Sequence, residues 1–204
     1  MSASTGASGR ADTARIAAEV RCWLEDVVVG LGLCPFAAAP LEEDRVRIFV
    51  STATSPQDLA ADLVSELTRL DCEPAQTLET TLLVHPGVLQ DFDDYNAFLD
   101  VADRILEHCG LVGTLQIASF HPRYRFAGAA TDDVANATNR APHPLLHLLR
   151  EASVTRAIET HPDPRGIPAR NRERLRELGS AEVTRRLAGR PKMGRLPSQK
   201  GSVS

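Results

Sequence analysis

The sequence predicts a single α/β domain with a short, mainly parallel sheet. Three short apolar runs, at 46–51, 79–85 and 115–121, have the composition of buried strands. Segments with apolar residues at helical spacing alternate with these runs. Strands and helices that alternate in this way indicate parallel pairing through right-handed crossovers. We therefore predict a β-α-β-α-β core with flanking N- and C-terminal helices.

The first two helices have clear boundary signals. Gly30 and Gly32 end the first helix, because glycine readily takes up the backbone conformation that stops a helix. After the first strand, Ser55 and Pro56 open the second helix as N-cap and first-turn proline. The predicted apolar faces are formed by Ile16, Val20, Trp23, Leu24, Val27 and Leu31 in the first helix and by Leu59, Leu63, Leu67 and Leu70 in the second.

The second half of the chain is predicted to contain three more helices and one long loop. The third helix joins the second and third strands and stops at Gly110. Residues 123–141 show no periodicity, and loops of this length in a compact domain are usually functional or disordered. A fourth helix is predicted from Pro144 to about Thr160, and a last one from Pro168 to Leu178.

The domain division follows from composition. Residues 1–11 are small and polar and are predicted to be disordered, 12–179 form the α/β domain, and 180–204 form a basic, mostly disordered tail. The tail has six basic residues and one acid, a charge of +5, whereas the whole chain carries −4. The rest of the chain then has a net charge of −9, which argues against a nucleic-acid surface on the domain.

Composition also predicts the compartment. At 43% hydrophobic and 25% charged residues, the chain resembles an ordinary soluble globule. No apolar run is long enough to cross a bilayer, and the N-terminus lacks the apolar region of a secretion signal. The four cysteines are too few and too scattered for a disulfide scaffold, which favours the reducing cytoplasm.

Two histidines at strand ends are the first candidate catalytic residues. His85 and His121 close the second and third strands, and each precedes a proline. If the strands are parallel, both imidazoles lie at the carboxyl edge of the sheet, where open α/β sheets bind ligands. Histidine titrates near neutrality, so the pair could act as acid and base or as metal ligands. The alternative is that both only bond to backbone carbonyls.

Cys34 is the third candidate catalytic residue. It precedes a proline in a loop, where a thiol beside an imidazole could serve as nucleophile, metal ligand or redox sensor. A small buried hydrophobic side chain is the competing interpretation. The loop enters the first strand at its amino edge, opposite the histidines, so the sequence leaves their proximity open.

The long loop supplies a candidate site for an anionic substrate. Arg123, Arg125, Asn139 and Arg140 follow His121, and arginine suits carboxylate or phosphate groups. A small anionic molecule is therefore the predicted partner, with no nucleic acid, no membrane and the oligomeric state left open. Solvated surface arginines are the alternative.

A divalent transition metal is the predicted cofactor under a second hypothesis. His143 and His147 lie four apart at the start of the predicted fourth helix, which places both on one face. Together, Cys34, His85, His121 and His147 would supply enough ligands for one such metal. The sequence does not contain the HExxH zinc motif.

Four sequence blocks resemble those of a bacterial family catalogued as domain of unknown function 1415. They are the segments 31–37, 79–86, 115–122 and 139–151, in that order. The resemblance covers roughly Ala14 to Gly179. It implies a stand-alone cytoplasmic protein and supplies no activity, substrate or catalytic roles.

The predicted function is that of an enzyme that acts on a small anionic metabolite by hydrolysis or group transfer. The site would be the histidine and arginine groups at the carboxyl edge, with Cys34 as thiolate or ligand. The first alternative is metal binding or metal-dependent chemistry. The second is a non-catalytic binding module whose polar loops contact a protein partner.

Overall fold

The computed structural model describes residues 4–188, with side chains from residue 9 onward. It contains a four-stranded mixed sheet between two layers of helices. The strands are β1 (Val46–Val50), β2 (Thr80–Val84), β3 (Leu115–Phe120) and β4 (Leu145–Arg150). The helices are α1 (Ser4–Trp23), α2 (Ala38–Glu42), α3 (Pro56–Cys72), α4 (Phe92–His108), α5 (Glu151–Thr160), α6 (Ile167–Leu178) and α7 (Ser180–Leu187).

The strand order is β1-β2-β4-β3, and only the β1–β2 pair is parallel. β4 pairs antiparallel with both β2 and β3. The prediction of a mainly parallel sheet is therefore wrong, although the chain is α/β. β1, β2 and β3 still run in the same direction, because β2 and β3 are both antiparallel to the strand between them.

The predicted fourth helix is wrong in its first seven residues, 144–150. Residues Leu145–Arg150 form β4, and helix α5 begins only at Glu151. Helices cover both sides of the sheet at β4, so leucines lie on both of its faces and the two-residue alternation of a strand is missing. Its leucines fit a helical stripe equally well. His143 and His147 therefore do not share a helix face.

The remaining predicted helices are present, and α3 and α4 have their predicted boundary residues. The Ser55 hydroxyl accepts a hydrogen bond from the backbone N–H of Asp58 at the start of α3. Gly110 follows α4 with a φ of 70°, as its predicted stop signal requires. The first helix continues beyond α1 as a π-helical segment, Leu24–Val29, with Gly30 as its C-cap.

The two faces of the sheet carry separate apolar cores. Helices α3 and α4 cover one face, where Leu63, Tyr95 and Phe98 pack on Leu83 and Leu146. α1, the π-helical segment, α6 and α7 cover the other, with Leu82, Val84 and Leu145 from the sheet. We call these the α4 face and the α1 face.

Both segments predicted to be disordered contain helix. α1 begins at Ser4, inside 1–11, and α7 lies inside 180–204. Val183 on α7 is buried in the core of the α1 face, which explains why this part of the basic segment is ordered. The rest of the predicted tail, 189–204, lies outside the described residues. Within residues 4–188, no helix combines the length and apolarity needed to cross a membrane.

Candidate functional site

His85 and His121 lie at the same edge of the sheet. His85 directly follows β2 and His121 directly follows β3, and these two strands point the same way. Both imidazoles pack on the α4 face, where each contacts the ring of Tyr95 at centroid distances of 5.7 Å and 5.1 Å. The Tyr95 hydroxyl donates to the Leu145 carbonyl at 2.9 Å and accepts from the Phe120 N–H at 3.0 Å.

Both of these histidines are buried and bonded to backbone groups. Their side chains are 0% and 1% exposed. Nδ1–H of His85 donates to the Val88 carbonyl at 3.0 Å, whereas Nδ1 of His121 accepts from the N–H of Arg123 at 3.0 Å. Each Nε2 is buried without a hydrogen-bond partner among the described residues.

Burial also lowers the pKa of both imidazoles. It lowers the pKa of His85 to about 4, with a further contribution from the nearby His121. It lowers the pKa of His121 as well. Both side chains are therefore neutral at neutral pH, and neither lines either of the two cavities described below.

The predicted anion-binding side chains of the long loop contact other groups of the protein. Arg123 bonds to the Gln90 carbonyl and to Asp91, and Arg125 lies 3.5 Å from Asp93. Both acids belong to the start of α4. Arg140 donates to backbone carbonyls of its own loop, and Asn139 donates to the Ser119 carbonyl at 3.1 Å. An anion would have to compete with these contacts.

The α1 face contains a cavity of about 510 Å³ that we call the histidine cavity. Its wall is mainly apolar, and a few polar side chains converge on it. This combination is typical of small-molecule sites. The lining includes Cys34, Thr80, Gln116, Phe120, His147 and Arg156.

His147 is the imidazole that lines this cavity. It lies in the middle of β4, on the α1 face, and is partly exposed. The Thr80 hydroxyl donates to the Leu148 carbonyl at 2.6 Å, so it must accept the 2.7 Å bond from Nε2–H of His147. Nδ1 is then the unprotonated nitrogen, and no hydrogen bond engages it among the described residues. Burial lowers the pKa of His147 to about 4.

Cys34 lines the same cavity. Burial raises the pKa of its thiol, and the backbone N–H groups of Phe36 and Ala37 act in the opposite direction. The thiol is therefore protonated at neutral pH. The structure brings Cys34 into one cavity with His147, while His85 and His121 lie on the opposite face of the sheet.

The proposed metal ligands are not assembled in one place. Within residues 4–188, no three His, Cys, Asp or Glu side chains form a group that could hold a metal ion. The four residues of the metal hypothesis divide between the two faces of the sheet. His143 is also engaged elsewhere, because its Nε2 donates to Glu19 of α1 at 2.7 Å.

Three side chains of the histidine cavity were not singled out from the sequence. Thr80 and Gln116 lie on strands, and their faces follow from the alternation along β2 and β3. Arg156 is exposed on α5 and has no ion-pair partner among the described residues. The other arginines of the cavity are engaged, since Arg45 pairs with Glu79 and Arg150 donates to backbone carbonyls.

Residues 15–185 match the family described as "Protein of unknown function (DUF1415)". No curated protein matches the chain, and no solved structure does. The match covers most of the chain, so the protein belongs to this family.

Proposed function

We propose that this member of the family is an enzyme that acts on a small organic acid held in the histidine cavity. The observation that carries the proposal is the orientation of His147. Thr80 holds Nε2–H, which leaves the lone pair of Nδ1 unengaged in a side chain that lines the cavity. A positioned, neutral imidazole can accept a proton from a bound molecule.

The cavity wall supports the substrate class. Most of the wall is apolar, so the body of the substrate is apolar as well. Arg156 is the cation that the protein leaves unpaired at this cavity among the described residues, and a carboxylate is its natural partner. The proposed substrate is anionic, as predicted from the sequence. The proposed site, however, lies on the α1 face and not at the carboxyl edge of the sheet.

Cys34 gives the site a second reactive group. Its thiol is protonated at neutral pH and becomes a nucleophile only after losing the proton. His147 lines the same cavity and is neutral, which is the state that accepts a proton. Hydrolysis or group transfer remains the proposed reaction class. The cytoplasmic location also remains a proposal, on the sequence argument from four scattered cysteines.

Hexanoate and 4-nitrophenyl hexanoate test this proposal as binding and reaction probes. We expect hexanoate to shift the NMR signals of His147 and to bind about two- to fivefold more weakly to Arg156→Gln, as for an exposed ion pair. We expect release of 4-nitrophenol to fall about hundredfold in His147→Gln. Glutamine retains a donor for Thr80 but lacks the basic nitrogen.

The matched control is His108→Gln, because His108 is exposed at the end of α4. Equal release by His147→Gln and His108→Gln would contradict the proposal, as would the absence of both binding and release. Hexanoate binding without any ester turnover would favour the alternative of a non-catalytic binding module.

A further inference from the structure

A second cavity adjoins the histidine cavity. It has a volume of about 600 Å³ and lies between the long loop, helix α6 and the segment that follows α1. We call it the loop cavity. Its lining includes Cys34, Phe120, Phe126, Asp133, Asn171 and Arg172. Cys34 and Phe120 line both cavities. Cys34 therefore lies where the two cavities meet.

The loop cavity has one charged side chain of each sign that no ion pair engages among the described residues. Arg172 is exposed on α6 and has no ion-pair partner among the described residues. Oδ1 of Asp133 accepts the N–H of Ala135 at 2.9 Å. The other carboxylate oxygen has no hydrogen-bond or ion-pair partner among the described residues. A ligand that carries both a carboxylate and an ammonium group would satisfy both side chains.

The cavity wall is apolar and held in place. Phe120 and Phe126 contribute aromatic surface, and the buried Asn136 accepts the N–H of Phe126 at 3.0 Å. On the other side, Asn171 donates to the Leu33 carbonyl at 2.7 Å, which ties α6 to the segment before Cys34. A wall fixed in this way binds a ligand at a smaller ordering cost.

We propose that the loop cavity binds an amino acid with an apolar side chain. Arg172 receives its carboxylate, Asp133 receives its ammonium group, and Phe120 and Phe126 contact its side chain. The inference goes beyond the proposed function and needs none of its chemistry. It rests on the loop cavity, which shares Cys34 and Phe120 with the histidine cavity.

L-leucine and two analogues test the charge pattern by titration calorimetry on the full chain. 4-Methylpentanoate lacks the ammonium group and isopentylamine lacks the carboxylate, while both retain the branched apolar end. We expect each analogue to bind about two- to fivefold more weakly than L-leucine, the range for a partly exposed ion pair. Arg172→Gln and Asp133→Asn should weaken L-leucine by a similar factor. Asparagine keeps the acceptor for the Ala135 N–H.

Arg176→Gln is the matched control, since Arg176 is exposed on the same helix and lies outside the loop cavity. Equal binding of the three probes would overturn the inference, as would no detectable binding of L-leucine. Equal effects of Arg172→Gln and Arg176→Gln would overturn it as well.

Alkylation of Cys34 by N-ethylmaleimide tests whether the bound amino acid lies beside this thiol. In a Cys72→Ser background, which removes the exposed thiol, L-leucine should slow the labelling of Cys34 as measured by peptide mapping. L-leucine that binds without slowing this labelling lies elsewhere, and the inference is then wrong. Hexanoate and His147→Gln report on the histidine cavity separately, so the two proposals can fail independently.

Discussion

The buried histidine His85 makes stability depend on pH. An unfolded histidine has a pKa of about 6.5, whereas burial lowers the pKa of His85 to about 4. Between these values the unfolded chain binds more protons than the folded one. The free energy of unfolding therefore rises with pH across this window, and the full contribution is present above it. The shift is worth on the order of 3 kcal/mol.

We expect His85→Asn to remove this contribution from the pH dependence. Asparagine can donate to the Val88 carbonyl in place of Nδ1–H, but it does not titrate. Urea unfolding at pH 7.5 and pH 4.5 should show a smaller difference for the variant than for the wild type. His108→Asn, at an exposed position, should retain the wild-type difference. The same difference in all three proteins would contradict the prediction.

At the scale of elements, one hydroxyl connects α4 to two strands. Phe120 of β3 and Leu145 of β4 are cross-strand partners, and the Tyr95 hydroxyl bonds to the N–H of the first and the carbonyl of the second. All three groups lie at the edge of the sheet where His85 and His121 are packed. Removing the hydroxyl leaves a buried donor and a buried acceptor without this partner.

Tyr95→Phe should therefore lower the free energy of unfolding by about 1–3 kcal/mol. Urea denaturation followed by circular dichroism measures the change. Tyr124→Phe is the control, because Tyr124 packs against Phe92 and Phe126 and no hydrogen bond engages its hydroxyl among the described residues. A loss of the same size in both variants would show that the bridging hydroxyl is not responsible.

At the scale of the whole molecule, the sheet has two inner and two outer strands. β2 and β4 each have neighbours on both sides, whereas β1 and β3 are at the edges. We expect backbone amides of β4 to exchange with deuterium more slowly than those of α5, which directly follows it in the chain. Hydrogen exchange read by mass spectrometry compares the two segments. Faster exchange in 145–150 than in 151–160 would contradict the sheet order.

Much of the fold is predictable from local pattern, and the exceptions have a physical cause. The three alternating strands and the helices α3, α4 and α6 follow from capping residues, glycine stops and apolar periodicity. The position of β4 does not follow from such signals. Its leucines, Leu145, Leu146, Leu148 and Leu149, fit both the apolar stripe of a helix and a strand that is buried on both faces. Its partners are distant in sequence, so no local signal decides between the two.

The sequence predicts which residues of the candidate site are chemically capable, but it does not predict which of them lie together. Cys34 and His147 are visible in the sequence as chemically capable side chains. Their common cavity depends on the position of β4, since that strand places His147 beside Thr80 on the α1 face. His85 and His121 do meet the same edge, but α4 buries them there. The covering helix decides which histidines are open to a ligand.

The late position of β4 in the chain also sets the order in which this protein can fold. Until residues 145–150 have been synthesised, β2 and β3 have no strand between them, and the centre of the sheet does not exist. The pairing of Thr80 with Leu149 closes a loop of about 70 residues. Closing such a loop loses conformational entropy before the stabilising contacts of the sheet can form. We therefore expect slow folding whose main barrier is the insertion of β4. A nascent chain that ends before this strand leaves unpaired the edge of β2 and the edge of β3 that β4 later joins.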